Sequence, residues 1–362
     1  MSRLTELLKS NNYLSIFTTC SDADIILFKG LNLLGRWYRF YFIITGLLFT
    51  TVCAESNDSI GVADSGSGVV QTPQVKVWNP VVTGAFSAVI PGGGQFYTRH
   101  YIKAGSFLAL EAITAGMANF WYRTSLYRDE EADVFKESAD VYREAATIYK
   151  LLEDSINQLG IDSIAAQDYR SWASSQEAQA LESEERAALL RYDAKDARYK
   201  MYNALSWMVG GYVYNIFDGL GSSRFFFNDK QKSPTKAAWL SAIPGLGLGQ
   251  LYNGSLSKAG MIMMTQVSMG VMAVNYHRLV NEAQRHYSTA VDTSFNQDWE
   301  WRRSTAFRNR NQWIWYSLAF YFYGILDAVV DAHLHDYNRK LRAYPDLVPE
   351  LSALRINVDY RF

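Results

Sequence analysis

Hydrophobic side chains in this chain are concentrated in four stretches, which polar segments separate. Each stretch is about 17–20 residues long, and a helix of that length crosses a hydrocarbon layer about 30 Å thick. Tryptophan residues flank several of them, as is typical of helices that end at a membrane surface. The pattern predicts a mainly α, integral membrane protein, with a soluble bundle of buried helices as the alternative. The stretches are Ala104–Tyr122, Ala204–Leu220, Ala259–Tyr276 and Trp313–Val330.

A short motif precedes the first and the third stretch. One copy covers Ser87–Tyr97 and the other covers Ser241–Tyr252, and from the glutamine of each copy onward the two align without a gap. Such duplication indicates repeated structural units, so we expect two tandem helical-hairpin repeats. The motif positions that we single out are Pro91, Gly92, Gly94, Gln95, Tyr97 and Lys103 in the first copy and Pro244, Gly245, Gly249, Gln250, Tyr252 and Lys258 in the second.

The segments that lead into the motifs, Val81–Ile90 and Ala237–Ile243, are too short to cross a membrane upright. Pro91 and Pro244 end a helix, and the glycines that follow allow a tight turn. These segments are either half-helices or short, tilted crossings. If they cross, each repeat has an odd number of crossings, and the two repeats are inverted relative to each other.

The charge distribution favours the inverted arrangement. Between Arg123 and Lys200 the chain carries 11 basic and 17 acidic residues, whereas between Arg278 and Arg310 it carries six basic and four acidic residues. Because positive residues stay in the cytoplasm, the second insert is expected inside and the first outside. The net charge of −1 and the lack of a basic run exclude a nucleic-acid-binding role.

The first insert, residues 126–199, has the clearest helical period of the chain. We expect two antiparallel helices there, with Gly160 ending the first and Asp162 or Ser163 capping the second. An apolar stripe at three- and four-residue spacing is interpreted as the internal seam of this projecting soluble hairpin. The alternative is a coiled coil that binds a partner. The stripe consists of Val134, Val141, Ala145, Ile148, Leu152, Ile156 and Leu159.

Processing and linker segments flank the repeats. Residues 1–54 are interpreted as a signal peptide region, because basic residues precede an apolar run and Val52-Cys-Ala54 fits a cleavage site. Residues 55–77 form a polar linker, 78–225 the first membrane repeat and 226–340 the second. The tail, 341–362, is expected to be a flexible end or a strand added to a partner's sheet. Cys20 and Cys53 are the only cysteines, so the processed chain would have no disulfide or thiolate metal site.

Polar residues inside the apolar stretches are the candidates for chemistry. Glu111 and Gln266 hold matched positions in the two repeats, and Asp218 and Asp327 form a second matched pair. An ionisable group at membrane depth suggests a functional site, although a buried hydrogen bond between helices is the competing interpretation. Near the end of the fourth stretch, Asp331, His333 and His335 could serve a metal or acid–base chemistry, but we interpret this cluster as a polar helix end at the membrane interface.

Other chemistry finds little support. The glycine-rich motifs lack the Lys beside Ser or Thr of a phosphate loop, so we expect no nucleotide or other cofactor. No serine, cysteine and histidine constellation indicates a nucleophilic enzyme, and we assign no catalytic residue and no metal ligand.

A family resemblance rests on three segments of the second repeat. Ser241–Asn253, Lys258-Ala259 and Asp327–Leu334 resemble the bacterial envelope family known as domain of unknown function 5683. That family is common among Bacteroidetes and their relatives and is distantly similar to two-helix membrane hairpin domains. The resemblance covers about Pro234 to Asp336, and the first repeat shares only the opening motif. It implies an envelope membrane protein and no established activity, cofactor or substrate.

The expected function is therefore structural. We interpret the chain as an inner-membrane scaffold or accessory subunit whose first insert contacts another envelope protein, with membrane lipid around it and homo-oligomers possible. The alternative is a small transporter or ion-conducting unit that uses Glu111, Asp218 and Asp327. A weaker alternative is a membrane metallohydrolase.

Overall fold

The computed structural model describes residues 78–160, 163–221, 232–289, 293–348 and 353–360. The predicted signal peptide region and the whole of the linker lie outside these residues. The described chain is mainly helical, as expected. Its elements are α1 (Pro80–Val89), α2 (Gly93–Tyr97), α3 (Tyr101–Leu159), α4 (Ser163–Gly221), α5 (Pro234–Ser241), α6 (Leu248–Asn253), α7 (Leu256–Thr289), α8 (Thr293–Lys340), β1 (Leu341–Val348) and β2 (Ala353–Tyr360).

The two short helices that lead into the motifs begin in the same way. Asn79 caps α1 and accepts a hydrogen bond from Val81 N at 3.0 Å, and Ser233 caps α5 and accepts one from Lys236 N at 3.4 Å. In both, proline occupies the first helical position, where a missing N–H costs nothing. Helix α1 packs on α4 and α5 packs on α8, so each short helix lies against the end of a long one.

Two long helical hairpins make up most of the fold. Helices α3 and α4 have 59 residues each and pack antiparallel along their whole length, with α3 ending at Gly160 in the left-handed conformation that was predicted for it. Helices α7 and α8 form the second hairpin, and α7 packs antiparallel on α4. At 1.5 Å per residue, α3 is about 88 Å long.

Both hairpins point in the same direction, so the inverted arrangement was wrong. Asp218 at the end of α4 contacts Ser257 at the start of α7, which places the starts of α3 and α7 at one end of the bundle. The inversion required the short segments to add a crossing. Helices α1 and α5 have 10 and eight residues and lie beside the ends of α4 and α8, so they add none.

The seam of the first hairpin also differs from the prediction. Alanines seven residues apart, not the Val/Ile/Leu stripe, are buried between α3 and α4. Small side chains let the two backbones approach closely, and the larger stripe residues are left on the outer face of α3. The buried alanines are Ala132, Ala139 and Ala146 in α3 and Ala166, Ala173, Ala180, Ala187 and Ala194 in α4.

The far end of the second hairpin is fixed to α4 by an aromatic and ionic contact. Trp299 is fully buried, with His286 stacked on it at 4.4 Å and Tyr192 edge-on at 5.7 Å. Arg302 donates two hydrogen bonds to Asp193, at 3.1 and 3.0 Å. Burial raises the pKa of Tyr192, which keeps its hydroxyl neutral.

One helix of the described residues is long and apolar enough to cross a membrane by length and composition. It is Phe295–Leu334 within α8, with a mean hydropathy of 1.3 in its most apolar window, of which 17% is buried in the structure. The other three apolar stretches lie within α3, α4 and α7, and their crossing of a membrane stays a prediction.

The C-terminal tail forms a hairpin. Strands β1 and β2 pair antiparallel, with Leu341 opposite Tyr360 and Val348 opposite Ala353. Strand β2 therefore pairs within the chain, and addition of a strand to a partner's sheet stays a prediction.

Candidate structural site at the motif end of the bundle

The first motif is held against α4 by a fully buried glutamine. Gln95 Nε2 donates to the carbonyl oxygen of Asn215 at 3.1 Å and to Asp218 Oδ2 at 3.0 Å. Ser87 Oγ donates to Gln95 Oε1 at 3.4 Å. The glutamine therefore joins α1, the motif and α4 at one point.

Asn215 completes this first cluster, and the sequence reasoning missed it. Its side-chain oxygen accepts from Gly92 N at 3.0 Å, and its amide donates to the carbonyl of Ser87 at 2.8 Å. Asn215 is fully buried, so these bonds satisfy groups that water cannot reach. Its position, three residues before Asp218 in the matched segment, was the available signal.

The second motif repeats the glutamine contact with a different surrounding. Gln250 Nε2 donates to the carbonyl oxygen of Gly324 at 2.7 Å and to Asp327 Oδ2 at 3.5 Å. Gly324 stands where the first repeat has Asn215, so the two hydrogen bonds that the Asn215 side chain makes in the first cluster have no counterpart here. Asn253 instead donates to the carbonyl of Ala328 at 2.7 Å.

A lysine between two aspartates is the main feature of the second cluster. Lys258 Nζ lies 2.9 Å from Asp327 Oδ1 and 2.8 Å from both oxygens of Asp331. Ser255 Oγ adds a bond to Asp331 at 3.4 Å. In the first cluster Lys103 Nζ stands 3.9 Å from Asp218 Oδ1, a looser ion pair. The ammonium of Lys258 thus occupies the space between the two carboxylates.

The start of α7 joins the two clusters. Ser257 Oγ donates to Asp218 Oδ1 at 2.5 Å, and the next residue, Lys258, binds Asp327 and Asp331. Consecutive side chains on α7 therefore contact the closing aspartates of both matched segments. The sequence paired Asp218 with Asp327 by position but gave no signal for this link.

Glycines allow the motifs to approach the long helices. Gly92 and Gly247 both have positive φ, 79° and 56°, which favours glycine. A Cβ on Gly247 would lie 2.7 Å from the carbonyl oxygen of Ala259, and one on Gly92 would lie 2.8 Å from Ala104 Cα. Gly247, which the sequence reasoning did not single out, is thus the equivalent of Gly92. Gly94 and Gly249 lie against Ser87 and Ser241, respectively, and the remaining singled-out glycine, Gly245, has a φ of 83°.

The motif tyrosines pack on the short helices. Tyr97 stacks on Phe86 at 5.5 Å and meets Trp78 edge-on at 5.0 Å. Tyr252 packs against the buried alanines of α5 and α8, and its hydroxyl accepts from Ser233 N at 3.0 Å. Pro91 and Pro244 lie in the turns between short helix and motif.

Glu111 and Gln266 have different surroundings despite their matched positions. Gln266 Oε1 accepts a hydrogen bond from Gly245 N and so holds the turn of the second motif. Glu111 is half-buried beside Gly211, and its Oε1 atom has no hydrogen-bond partner among the described residues. Glu111 lies two helical turns from the level of Asp218, or about 10 Å along the axis, so the structure does not bring the two carboxylates together.

His333 and Asp331 face different directions at the end of α8. Asp331 is turned toward Lys258, whereas His333 is exposed. Among the described residues no group of three His, Cys, Asp or Glu side chains is placed to hold a metal ion. The side chain of His335 lies outside the described residues.

These contacts define a mainly helical protein in which two glutamine–aspartate clusters tie short helices to the ends of long hairpins. Residues 230–356 match the model of a family of unknown function, DUF5683. For residues 230–356 this match confirms the family resemblance that the motifs of the second repeat indicated. No curated protein and no solved structure matches the chain.

Proposed function

We propose that this chain is a structural protein of the bacterial cell envelope, a membrane-embedded scaffold or accessory subunit built from two repeated helical-hairpin units. The observation that carries this proposal is the pairing of the buried polar groups with one another. Gln95 binds Asp218, Gln250 binds Asp327, and Lys258 forms ion pairs with both Asp327 and Asp331. Groups that are satisfied in this way hold helices together and are not free to bind a substrate.

The outer surface supports a lipid environment. At the level of the four apolar stretches, large apolar side chains face outward from α1, α3 and α8. An exposed apolar surface of this extent marks a contact with lipid or protein. On α8 the outward residues repeat at seven- and four-residue spacing, as Trp315, Phe322, Leu326 and Val330.

The proposed orientation follows from the parallel hairpins. Lys103, Lys232, Lys236 and Lys258 lie at the motif end, and this end is placed in the cytoplasm because positive residues favour that side. Both hairpin tips then project on the opposite side of the inner membrane, so the second insert lies outside in this proposal and not inside, as its six basic residues had indicated. The tip of the first hairpin, the longer of the two, contacts another envelope protein.

Membrane embedding is tested by fractionation of cells that express the full chain. We expect the protein in the membrane pellet after an alkaline carbonate wash, and in solution only after detergent is added. Recovery in the supernatant without detergent contradicts the proposal. A peripheral protein that the wash releases would contradict it equally.

A transport function is the second candidate, because Glu111 carries a carboxylate oxygen that has no hydrogen-bond partner within the described part of the chain, at the level of the apolar stretches. Glu111→Gln separates the two functions, since this change removes no hydrogen bond of Oε1. A scaffold keeps its level in the membrane and its partner, whereas a transporter loses proton or ion flux in reconstituted vesicles. The metallohydrolase is the weaker alternative, because Lys258 fills the space between the aspartates that a metal would need.

A further inference from the structure

The outer face of α3 carries an apolar stripe that no described residue covers. Val134 and Val141 are each 59% exposed, and Leu159 is 68% exposed. Ile148 and Leu152 are also exposed, at 41% and 40%. The alanine seam with α4 lies on the opposite side of α3, which explains why these larger residues face outward.

The stripe has the spacing of a coiled-coil seam. Val134, Val141 and Ile148 are seven residues apart, and Ala145, Leu152 and Leu159 form a second row seven apart, offset from the first by four. A straight helix with two such rows presents them to one partner helix as alternating layers. The exposed rows therefore fit a helix and not a flat surface.

An acidic band runs along one edge of the stripe. By helical periodicity its five carboxylates project next to the apolar rows, while the basic residues of this part of α3 project toward α4. There Lys150 binds Glu177 at 2.5 Å, and Arg143 pairs with Glu184. Asp133 pairs with Arg191 of α4 at 3.3 Å and Asp140 pairs with Arg143 at 3.5 Å, whereas Glu130, Glu137 and Glu144 have no ion pair in the described chain. The band consists of Glu130, Asp133, Glu137, Asp140 and Glu144.

We propose that this face binds an amphipathic helix of another protein, with an apolar stripe edged by lysine or arginine. The inference rests on the proposed function, in which the first hairpin contacts an envelope component, and it names the face and the chemistry of that contact. Apolar layers would supply the burial, and the basic edge would neutralise the acidic band.

A second copy of this chain fits the face less well. In a parallel pair each acidic band would face the opposite edge of the partner helix, which carries Phe135, Tyr142 and Tyr149 and no basic residue. In an antiparallel pair acid would face acid. Either arrangement leaves carboxylates near the seam without a counter-charge, which is unfavourable.

The test uses the full chain in neutral-detergent micelles and a designed helical peptide as the probe. The peptide is about four heptads long, with leucine at positions a and d and lysine at e and g. Its binding is followed by fluorescence anisotropy, with empty micelles as the background. We expect saturable binding that weakens about tenfold or more in Glu137→Lys/Glu144→Lys and in Val141→Ser/Ile148→Ser.

Two controls make the result specific. Asp168→Lys/Glu182→Lys changes the net charge by the same amount in the same hairpin but on the outer face of α4, away from the stripe, and it should change binding by less than about twofold. A peptide with glutamate at e and g should prefer Glu137→Lys/Glu144→Lys to the native chain. Circular dichroism confirms that each variant keeps its helical content.

Several outcomes overturn the inference. They are an absence of peptide binding to the native chain, an equal loss in the Asp168/Glu182 control, and no loss in Val141→Ser/Ile148→Ser. Self-association of the native chain that the serine variant abolishes would assign the face to a second copy instead. None of these outcomes changes the result of the carbonate fractionation. That experiment therefore tests the proposed function independently of the peptide assay.

Discussion

Ser257 donates a hydrogen bond to Asp218 at 2.5 Å and so ties the first turn of α7 to the last turn of α4. The same carboxylate accepts from Gln95 through its other oxygen, at 3.0 Å. Asp218 therefore holds the first motif and the second hairpin together. Asp327, its counterpart, contacts Gln250 and Lys258, which belong to the second unit alone.

Replacement of this aspartate should separate the two units. In Asp218→Asn one acceptor oxygen becomes a donor, which cannot serve both Gln95 and Ser257. Since hydrogen bonds to buried charged groups contribute about 1.5–3 kcal/mol, we expect Asp218→Asn to lower the free energy of unfolding by about 2 kcal/mol. Asp327→Asn should cost less, because Lys258 keeps Asp331. Thermal unfolding in detergent measures both, and an equal effect would contradict the linking role of Asp218.

The turn of the second motif should tolerate only glycine at position 247. In Gly247→Ala the new Cβ would meet the carbonyl of Ala259 at 2.7 Å, and the φ of 56° is unfavourable for alanine. We expect the free energy of unfolding to fall by about 2 kcal/mol or more. Gly105→Ala is the matched control, since a Cβ there meets nothing within 4 Å. It should leave stability unchanged or raise it by about 0.5–1 kcal/mol. Similar losses at both positions would contradict the close approach of the motif to α7.

The alanine seam of the first hairpin should resist larger side chains. Ala139 is fully buried between α3 and α4, so Ala139→Leu should lower stability by about 1–3 kcal/mol through overpacking. Val134→Ala, on the outer face, should change stability by less than about 0.5 kcal/mol. Unfolding followed by circular dichroism distinguishes the two faces. A larger loss for Val134→Ala would restore the apolar stripe as the internal seam.

The contact between the hairpins should weaken in acid. Partial burial alone would raise the pKa of Glu282, but the hydrogen bond from Lys195 at 2.5 Å and the neighbouring positive charges hold that pKa below its usual value of 4.5. Because the pKa is depressed in the folded state, the stabilisation is present above the unfolded value and is lost as the pH falls through the folded value.

This acid dependence is measured as the melting temperature between pH 6 and pH 3. Glu282→Gln should lower the melting temperature at pH 6 and make it less sensitive to pH below 4.5. Glu144→Gln, an exposed carboxylate without an ion pair among the described residues, is the control and should keep the native pH profile. If Glu282→Gln also keeps that profile, the Lys195 contact does not contribute.

Matched positions in the sequence identified much of the candidate site. The pairs Gln95/Gln250 and Asp218/Asp327 were found by position, and in the structure each glutamine contacts its aspartate. Asn215 was not predicted because Gly324 occupies its position in the second repeat. A comparison of the two repeats identifies only the residues that both repeats share. The hydrogen bond from Ser257 to Asp218 was not predicted either. It joins the two repeats to each other, so a comparison of matched positions gives no signal for it.

The packing face of α3 could not be read from hydrophobicity. Periodicity located the helix and its end at Gly160, but it selected Val134 and Val141 as the seam because they are the more apolar residues. Alanine contributes little to a hydrophobic period, yet it permits the closest approach of two helices. The small side chains of Ala139 and the other seam alanines, and not hydrophobicity, therefore determine which face of α3 packs on α4. The direction of the second hairpin was predicted wrongly for another reason. It depended on whether the short helices α1 and α5 add a membrane crossing, which the sequence left open.

Helix α3 runs without a break from the first motif to the tip at Gly160, over 59 residues. A rod of about 88 Å converts a tilt of one degree at its base into a displacement of about 1.5 Å at its tip. Helix α4 packs along the whole of α3, so the tip and the first motif lie at opposite ends of one unbroken pair of helices.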